Sequence, residues 1–128
     1  MIKLVDILKE IQTIQYTKPN FEFEWEEAGR YPEFTKIGKE GWIELANNGH
    51  TIKYSEIKNV LGNVDLDFDT LLPDRKKRFN QAYKSGKIEM PLVVKFSDNN
   101  YDLIGGNTRL AGLVSKNIDP TLWVVELK

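Results

Sequence analysis

The sequence predicts a small α/β (α+β) domain, a mixed sheet with helices packed on it, and three observations carry that expectation. From Val64 onward the apolar pattern alternates between period two and the helical period, giving strand, helix, strand, turn, strand, glycine loop, helix, strand. A chain of 128 residues suffices for one modest hydrophobic core and is short for two. Apolar residues at 41% and charged residues at 29% fit a globular protein, and no apolar run approaches the roughly 20 residues that cross a bilayer. The expected organisation is a single domain over 1–128, with a core at 64–128 and an N-terminal elaboration at 1–63.

Taken in order, Ile2, Leu4, Val5, Ile7, Leu8 and Ile11 predict a helical face around Val5 to Ile11, with a possible short strand before it. Aromatic and acidic residues alternate from Phe21 to Glu26, the signature of a strand with one wet face, although the same acids and aromatics can open a helix. Gly29, Tyr31 and Pro32 break the chain before a helix over Glu33 to Asn47, which Gly38 and Gly41 weaken. A short strand over His50 to Tyr54 follows, then Ser55 suits the N-cap of a brief helix ending near Gly62. Val64, Leu66 and Phe68 alternate with Asp65, Asp67 and Asp69, predicting a half-buried strand with a carboxylate face.

Pro73 then opens a helix to Ser85, with Phe79, Ala82 and Tyr83 as its inner stripe and Gly86 closing it. Leu92 to Phe96 and Tyr101 to Ile104, joined by Ser97, Asp98, Asn99 and Asn100, predict a hairpin. Gly105 and Gly106 end the second strand and lead into a helix with Leu110, Leu113 and Val114 on its inner face. Asp119 and Pro120 break before a final strand, Leu122 to Leu127.

The absence of cysteine removes disulfides, thiolate nucleophiles and thiolate metal sites, and His50, alone of its kind, excludes a multi-histidine centre within one chain. The start, MIKLVDILKEIQ, carries acids among its apolar residues and no small-residue cleavage site, so the expectation is a cytoplasmic protein without a secretory signal or membrane association. The formal charge of -1 hides a division: residues 1–70 hold 13 acids against 8 bases, and residues 71–128 hold 6 against 10. The basic half attracts phosphate if its charges converge, and otherwise the two halves are solvated faces.

The chemistry concentrates at Gly105, Gly106, Asn107, Thr108 and Arg109. A helix entered through two glycines exposes backbone amides that lack an intrahelical acceptor, and its dipole favours an anion. Thr108 adds a hydroxyl, Arg109 a planar fork able to bind phosphate through two bonds, and Asn107 a cap or a ligand-positioning amide. The structural alternative is that the glycines serve turn geometry alone and Arg109 meets a surface carboxylate.

The block LLPDRKKRFNQAYKSGKIEMPLVVKFSDNNYDLIGGNTRLAGLVSKNIDPTLWVVEL resembles the core of the ParB and sulfiredoxin superfamily over about 60 of the 128 residues. That resemblance implies a ParB/sulfiredoxin-like core in which the glycine loop grips nucleotide phosphates, and a short architecture suited to a phage or plasmid protein. In ParB-type domains an acidic residue and two arginines follow the glycine. Here Gly106 and Arg109 are kept, Asn107 stands for the acidic residue, Thr108 for the first arginine, and the later small position falls on Gly112. In sulfiredoxins a catalytic cysteine and a histidine precede the arginine; Asn107 and Thr108 replace them, which rules out the thiol-dependent repair reaction.

The resemblance therefore implies a phosphate- or nucleotide-binding protein, with ATP or CTP and Mg2+ as its ligand, acting in DNA-associated phosphoryl chemistry. The alternative is a non-catalytic DNA-binding or protein-interaction module. Whether the chain is an enzyme, and its oligomeric state, stay open. Asp69, near the end of the expected aspartate strand, is the candidate metal ligand. Arg75, Lys76 and Arg78, within a basic run that also holds Lys77, are candidate contacts to nucleic-acid phosphates, with solvated surface as the plain alternative. Trp25, Trp42 and Trp123 read as core or interface anchors, His50 as a surface or capping residue, and Tyr101 as a residue able to stack on a base.

Overall fold

The computed structural model describes residues 14–127, so the helix expected around Val5 to Ile11 lies outside the described residues. The chain is an α+β fold. Strand β1 (Gln15–Thr17) leads to helices α1 (Phe21–Ala28) and α2 (Pro32–Asn47), then β2 (His50–Lys53), the short α3 (Tyr54–Ile57) and β3 (Leu61–Gly62). After a 3-10 turn (Phe68–Thr70) come α4 (Pro73–Ser85), β4 (Lys87–Glu89), β5 (Leu92–Lys95), β6 (Tyr101–Gly105), α5 (Asn107–Ser115) and β7 (Thr121–Glu126).

The main sheet has the order β2-β7-β5-β6-β3 and is mixed: β5 pairs parallel with β7 and antiparallel with β6. The hairpin expected from the Ser97 to Asn100 turn is present as β5 and β6. Its central strands are apolar on both faces, as a covered sheet requires. Leu92, Val94, Ile104, Trp123 and Val125 pack with Phe21, Ala28, Phe34, Trp42 and Ala46 of α1 and α2. On the other face Val93, Leu103, Leu122 and Val124 meet Leu110 of α5 and Ile57 of α3. Phe79, Ile88 and Leu113 join α4, β4 and α5 in a third cluster beside these layers. The indole N–H of Trp42 donates to the Phe21 carbonyl at 2.8 Å, and that of Trp123 to the Ala46 carbonyl at 2.9 Å, so both buried indoles are satisfied.

Three sequence expectations are corrected. The Phe21 to Glu26 alternation forms a helix, because Asn20 caps it by accepting from Phe23 N at 3.1 Å and the buried set Phe21, Glu24 and Ala28 follows helical spacing. Phe23, which a strand would have buried with Phe21, is 70% exposed. The expected Val64 to Asp69 strand is instead a loop and the 3-10 turn. Its aspartates bond backbone in place of a ladder: Asp65 Oδ1 accepts from Asp67 N at 3.0 Å, and the Asn107 side chain holds both the N–H and the carbonyl of Asp65. Asp65, Asp67 and Asp69 therefore do not share a strand face.

The third correction concerns Ser55, which lies inside α3 while Lys53 occupies the cap position. Its N–H and hydroxyl both donate to Asp119, at 2.9 and 2.6 Å, tying α3 to the turn before β7. The helix ends at Ile57; residues 58–60 form a turn, and β3 takes Leu61 and Gly62. By contrast α4 spans the expected Pro73 to Ser85, with Gly86 closing it in the left-handed conformation. The parallel pair β1 and β4 has no counterpart in the sequence reading.

Candidate functional site

Strand β6 ends at Gly105, the chain turns at Gly106, and α5 begins at Asn107. Gly106 has φ 87°, a conformation that a side chain disfavours. The first helical bond of α5 runs from Leu110 N to Gly106 O at 2.9 Å, so the amides of Asn107, Thr108 and Arg109 precede the helical ladder. This turn forms part of a cleft of about 690 Å³. Gly105, Gly106, Asn107, Thr108 and Arg109 all line it, so the structure brings the candidate phosphate-binding residues together.

Arg109 turns back over the glycines. Its Nη1 lies 3.7 Å from Glu89 Oε2, and a Cβ on Gly106 would come within 2.7 Å of Nη2. Its Nε and Nη2 are shielded from solvent and have no hydrogen-bond acceptor. Two donor atoms of a charged group are thus desolvated without compensation. Asn107 is differently engaged: its side chain clamps Asp65, at 2.8 Å from the Asp65 N–H and 2.9 Å to its carbonyl, and so holds the loop before α4 in place.

The candidate nucleic-acid contacts divide. Arg75 and Arg78 line the cleft with the glycine loop. Lys76 does not; its ammonium donates to the Asp69 carbonyl at 3.3 Å. Asp69, the candidate metal ligand, also lies outside the cleft lining. Among the described residues no group of three or more His, Asp or Glu side chains converges as a metal site. Gly112, the small position near the end of the motif, faces the Phe79 ring, where a Cβ would come within 2.5 Å.

The sequence reading missed the acidic wall of the cleft. Glu24 and Glu27 of α1 and Glu89 of β4 line it, together with Lys87. Glu24 is only 7% exposed, and its carboxylate packs against Gly105 so closely that a Cβ there would collide with it. Burial pushes the Glu24 carboxyl up; Arg109 pulls it back, while Glu89 and Glu27 push it further up. A signal for Glu24 was available: read as a helix from the Asn20 cap, the segment places a glutamate in the stripe with Phe21 and Ala28. Buried glutamates are rare enough to mark a site candidate.

Compared with family models, curated proteins and solved structures, the chain matches none. No helix among the described residues is long and apolar enough to cross a membrane.

Proposed function

We propose that the chain is a ParB-like phosphate- or nucleotide-binding domain protein whose ligand seats its phosphate over the β6 to α5 turn. The observation that carries this reading is the pair of solvent-shielded Arg109 donors without acceptors, beside helix amides that also precede the hydrogen-bond ladder. Arg75 and Arg78 add positive charge to the same cleft, whose volume of about 690 Å³ falls in the range of small-molecule sites.

ATP or CTP are the proposed ligands, and DNA-associated phosphoryl chemistry is the proposed setting. The donors fit the phosphate portion of a nucleotide. Mg2+ is held largely by phosphate oxygens and one or two carboxylates. Glu89 lines the cleft where Asp69 does not, and its carboxylate already accepts from the Asn20 N–H through Oε1 and pairs with Arg109 through Oε2. When bound, the ion would neutralise phosphate charge.

Titration calorimetry with ATP and CTP, each with Mg2+, tests the reading. Saturable binding that Arg109→Ala weakens is the expected result, and no heat at millimolar concentrations of either nucleotide would defeat it. The DNA-binding alternative draws on Arg75 and Arg78 and predicts binding to DNA that collapses as salt rises. Duplex and single-stranded DNA titrated at low salt decide that alternative.

A further inference from the structure

We propose that Glu24 sets the specificity of the glycine-loop cleft: it favours a phosphate that shares a proton with it, as inorganic phosphate or the terminal phosphate of a nucleotide does. Sulfate and the phosphodiesters of a nucleic-acid backbone are rejected. The proposal rests on the reading of this cleft as a phosphate site and names the class of phosphate it takes.

A carboxylate is an unexpected wall for an anion site. Glu24 is more than nine-tenths buried, lies against Gly105 and lines the same cleft as the loop amides and the unpaired donors of Arg109. No group among the described residues donates a hydrogen bond to its carboxylate. Glu24 thus presents the cleft with an acceptor that no described residue occupies.

The charges around it come from each neighbouring element. Glu27 on its own helix and Glu89 on β4 add negative charge, and Arg109 on α5 supplies the opposing cation. Arg75 and Arg78 of α4 and Lys87 of β4 also line the cleft. An anion seated on the loop amides therefore stands beside a carboxylate. Two bare anions repel there, whereas one proton between them converts repulsion into a charge-assisted hydrogen bond.

Phosphate can bring that proton to the ionised carboxylate, whereas sulfate finds one only while Glu24 is itself protonated. Burial raises the Glu24 carboxyl from its ordinary value, with Arg109 opposing and Glu89 and Glu27 reinforcing the rise. Phosphate thus supplies or shares a proton where the site needs one. Sulfate has the same tetrahedral shape and no proton to give near neutral pH, and a phosphodiester is equally bare. Because sulfate and phosphate differ so little in size, their comparison isolates the proton.

The test is calorimetric titration of the whole chain with inorganic phosphate and with sulfate near pH 7, where phosphate still carries a proton and sulfate does not, at constant ionic strength, for wild type and Glu24→Gln. A charge-assisted hydrogen bond is worth about 1.5–3 kcal/mol, so wild type should favour phosphate by about tenfold or more. In E24Q, where an amide can donate to either anion, the preference should collapse to within about threefold, less than 1 kcal/mol. Equal affinities in wild type overturn the proposal and leave the phosphate reading standing, as does a preference that survives in E24Q. Binding of neither anion overturns this proposal, while the ATP and CTP titrations decide the phosphate reading separately. Should E24Q not fold, a pH series on wild type decides: sulfate affinity should fall as pH rises through the Glu24 ionisation while phosphate holds to higher pH. Coincident pH profiles for the two anions would overturn the proposal.

Discussion

At the scale of single residues, Glu24 and Arg109 pack against the two glycines of the turn, Glu24 at Gly105 and Arg109 at Gly106. The Arg109 pairing with Glu89 is long, at 3.7 Å, and the arginine side chain is 25% exposed, so this ion pair contributes about 0–1 kcal/mol to stability. Removing a guanidinium whose Nε and Nη2 already lack partners also relieves a desolvation cost. Arg109→Ala should therefore change the melting temperature little while weakening phosphate-ligand binding by roughly 10- to 150-fold, the worth of about 1.5–3 kcal/mol of charged hydrogen bonds. A destabilised R109A with undiminished affinity would instead make the arginine a structural counter-ion. Glu24 gives a prediction with a sign. Its carboxyl is raised by burial, so the folded chain holds the proton more tightly than the unfolded chain. That stabilisation is complete below the unfolded ionisation and is lost as pH rises through the folded one. Glu24→Gln should melt above wild type near pH 8 and converge with it near pH 4, since the protonated acid and the amide are then alike in charge. Thermal unfolding followed by circular dichroism across this range checks it, and a gap that does not vary with pH would show that ionisation plays no part.

At the scale of elements, legibility tracked how local the deciding interactions are. Helix α4 was readable to its ends because Pro73 and Gly86 mark them and the Phe79 stripe has the helical period. The β5 and β6 hairpin was readable from its turn. Helix α1 was not, since the alternation of Phe21, Phe23 and Trp25 imitates a strand, and only the Asn20 cap and packing against α2 reveal which residues are buried. The aspartate segment failed for a related reason: period two describes Val64 to Asp69, but Asn107, distant in sequence, takes the backbone groups that a strand would have paired. The contact of α4 with α5 has a point of minimum clearance at Gly112 under the Phe79 ring. Phe79 also packs edge-on to Phe68 and stacks near Tyr83, so its ring has neighbours on several sides and little room to yield. Gly112→Ala should destabilise the chain by about 1–3 kcal/mol, the usual cost of overpacking, despite the better helix propensity of alanine. Urea unfolding measures this, and a neutral or stabilising effect would mean that the ring shifts freely.

At the scale of the whole molecule, the charge division in the sequence becomes a cleft with an acidic wall and a basic one. Glu24 and Glu27 come from the acidic half, Arg75, Arg78 and Arg109 from the basic half, and they line one space. The five-residue motif was visible in the sequence because its glycines and arginine are contiguous, whereas the opposing wall depends on how α1 crosses the sheet. The same crossing bears on the boundary at residue 64. Residues before it supply α1, α2, the edge strand β2 and the short β3, and they bury Phe21, Phe34 and Trp42 on the sheet face formed by Leu92, Val94, Trp123 and Val125. Each large aromatic contributes about 1.5–3 kcal/mol by burial. Together these side chains approach the whole net stability of an ordinary domain, about 5–15 kcal/mol. A fragment of residues 64–128 should therefore lack a cooperative thermal transition, bind a hydrophobic dye through the uncovered sheet face and show weak near-ultraviolet dichroism. It should also lose phosphate affinity, because the wall carrying Glu24 is gone. A fragment that melts cooperatively with a native-like near-ultraviolet spectrum would show that the N-terminal half is a dispensable elaboration after all, and that the sheet is stable with one of its faces uncovered.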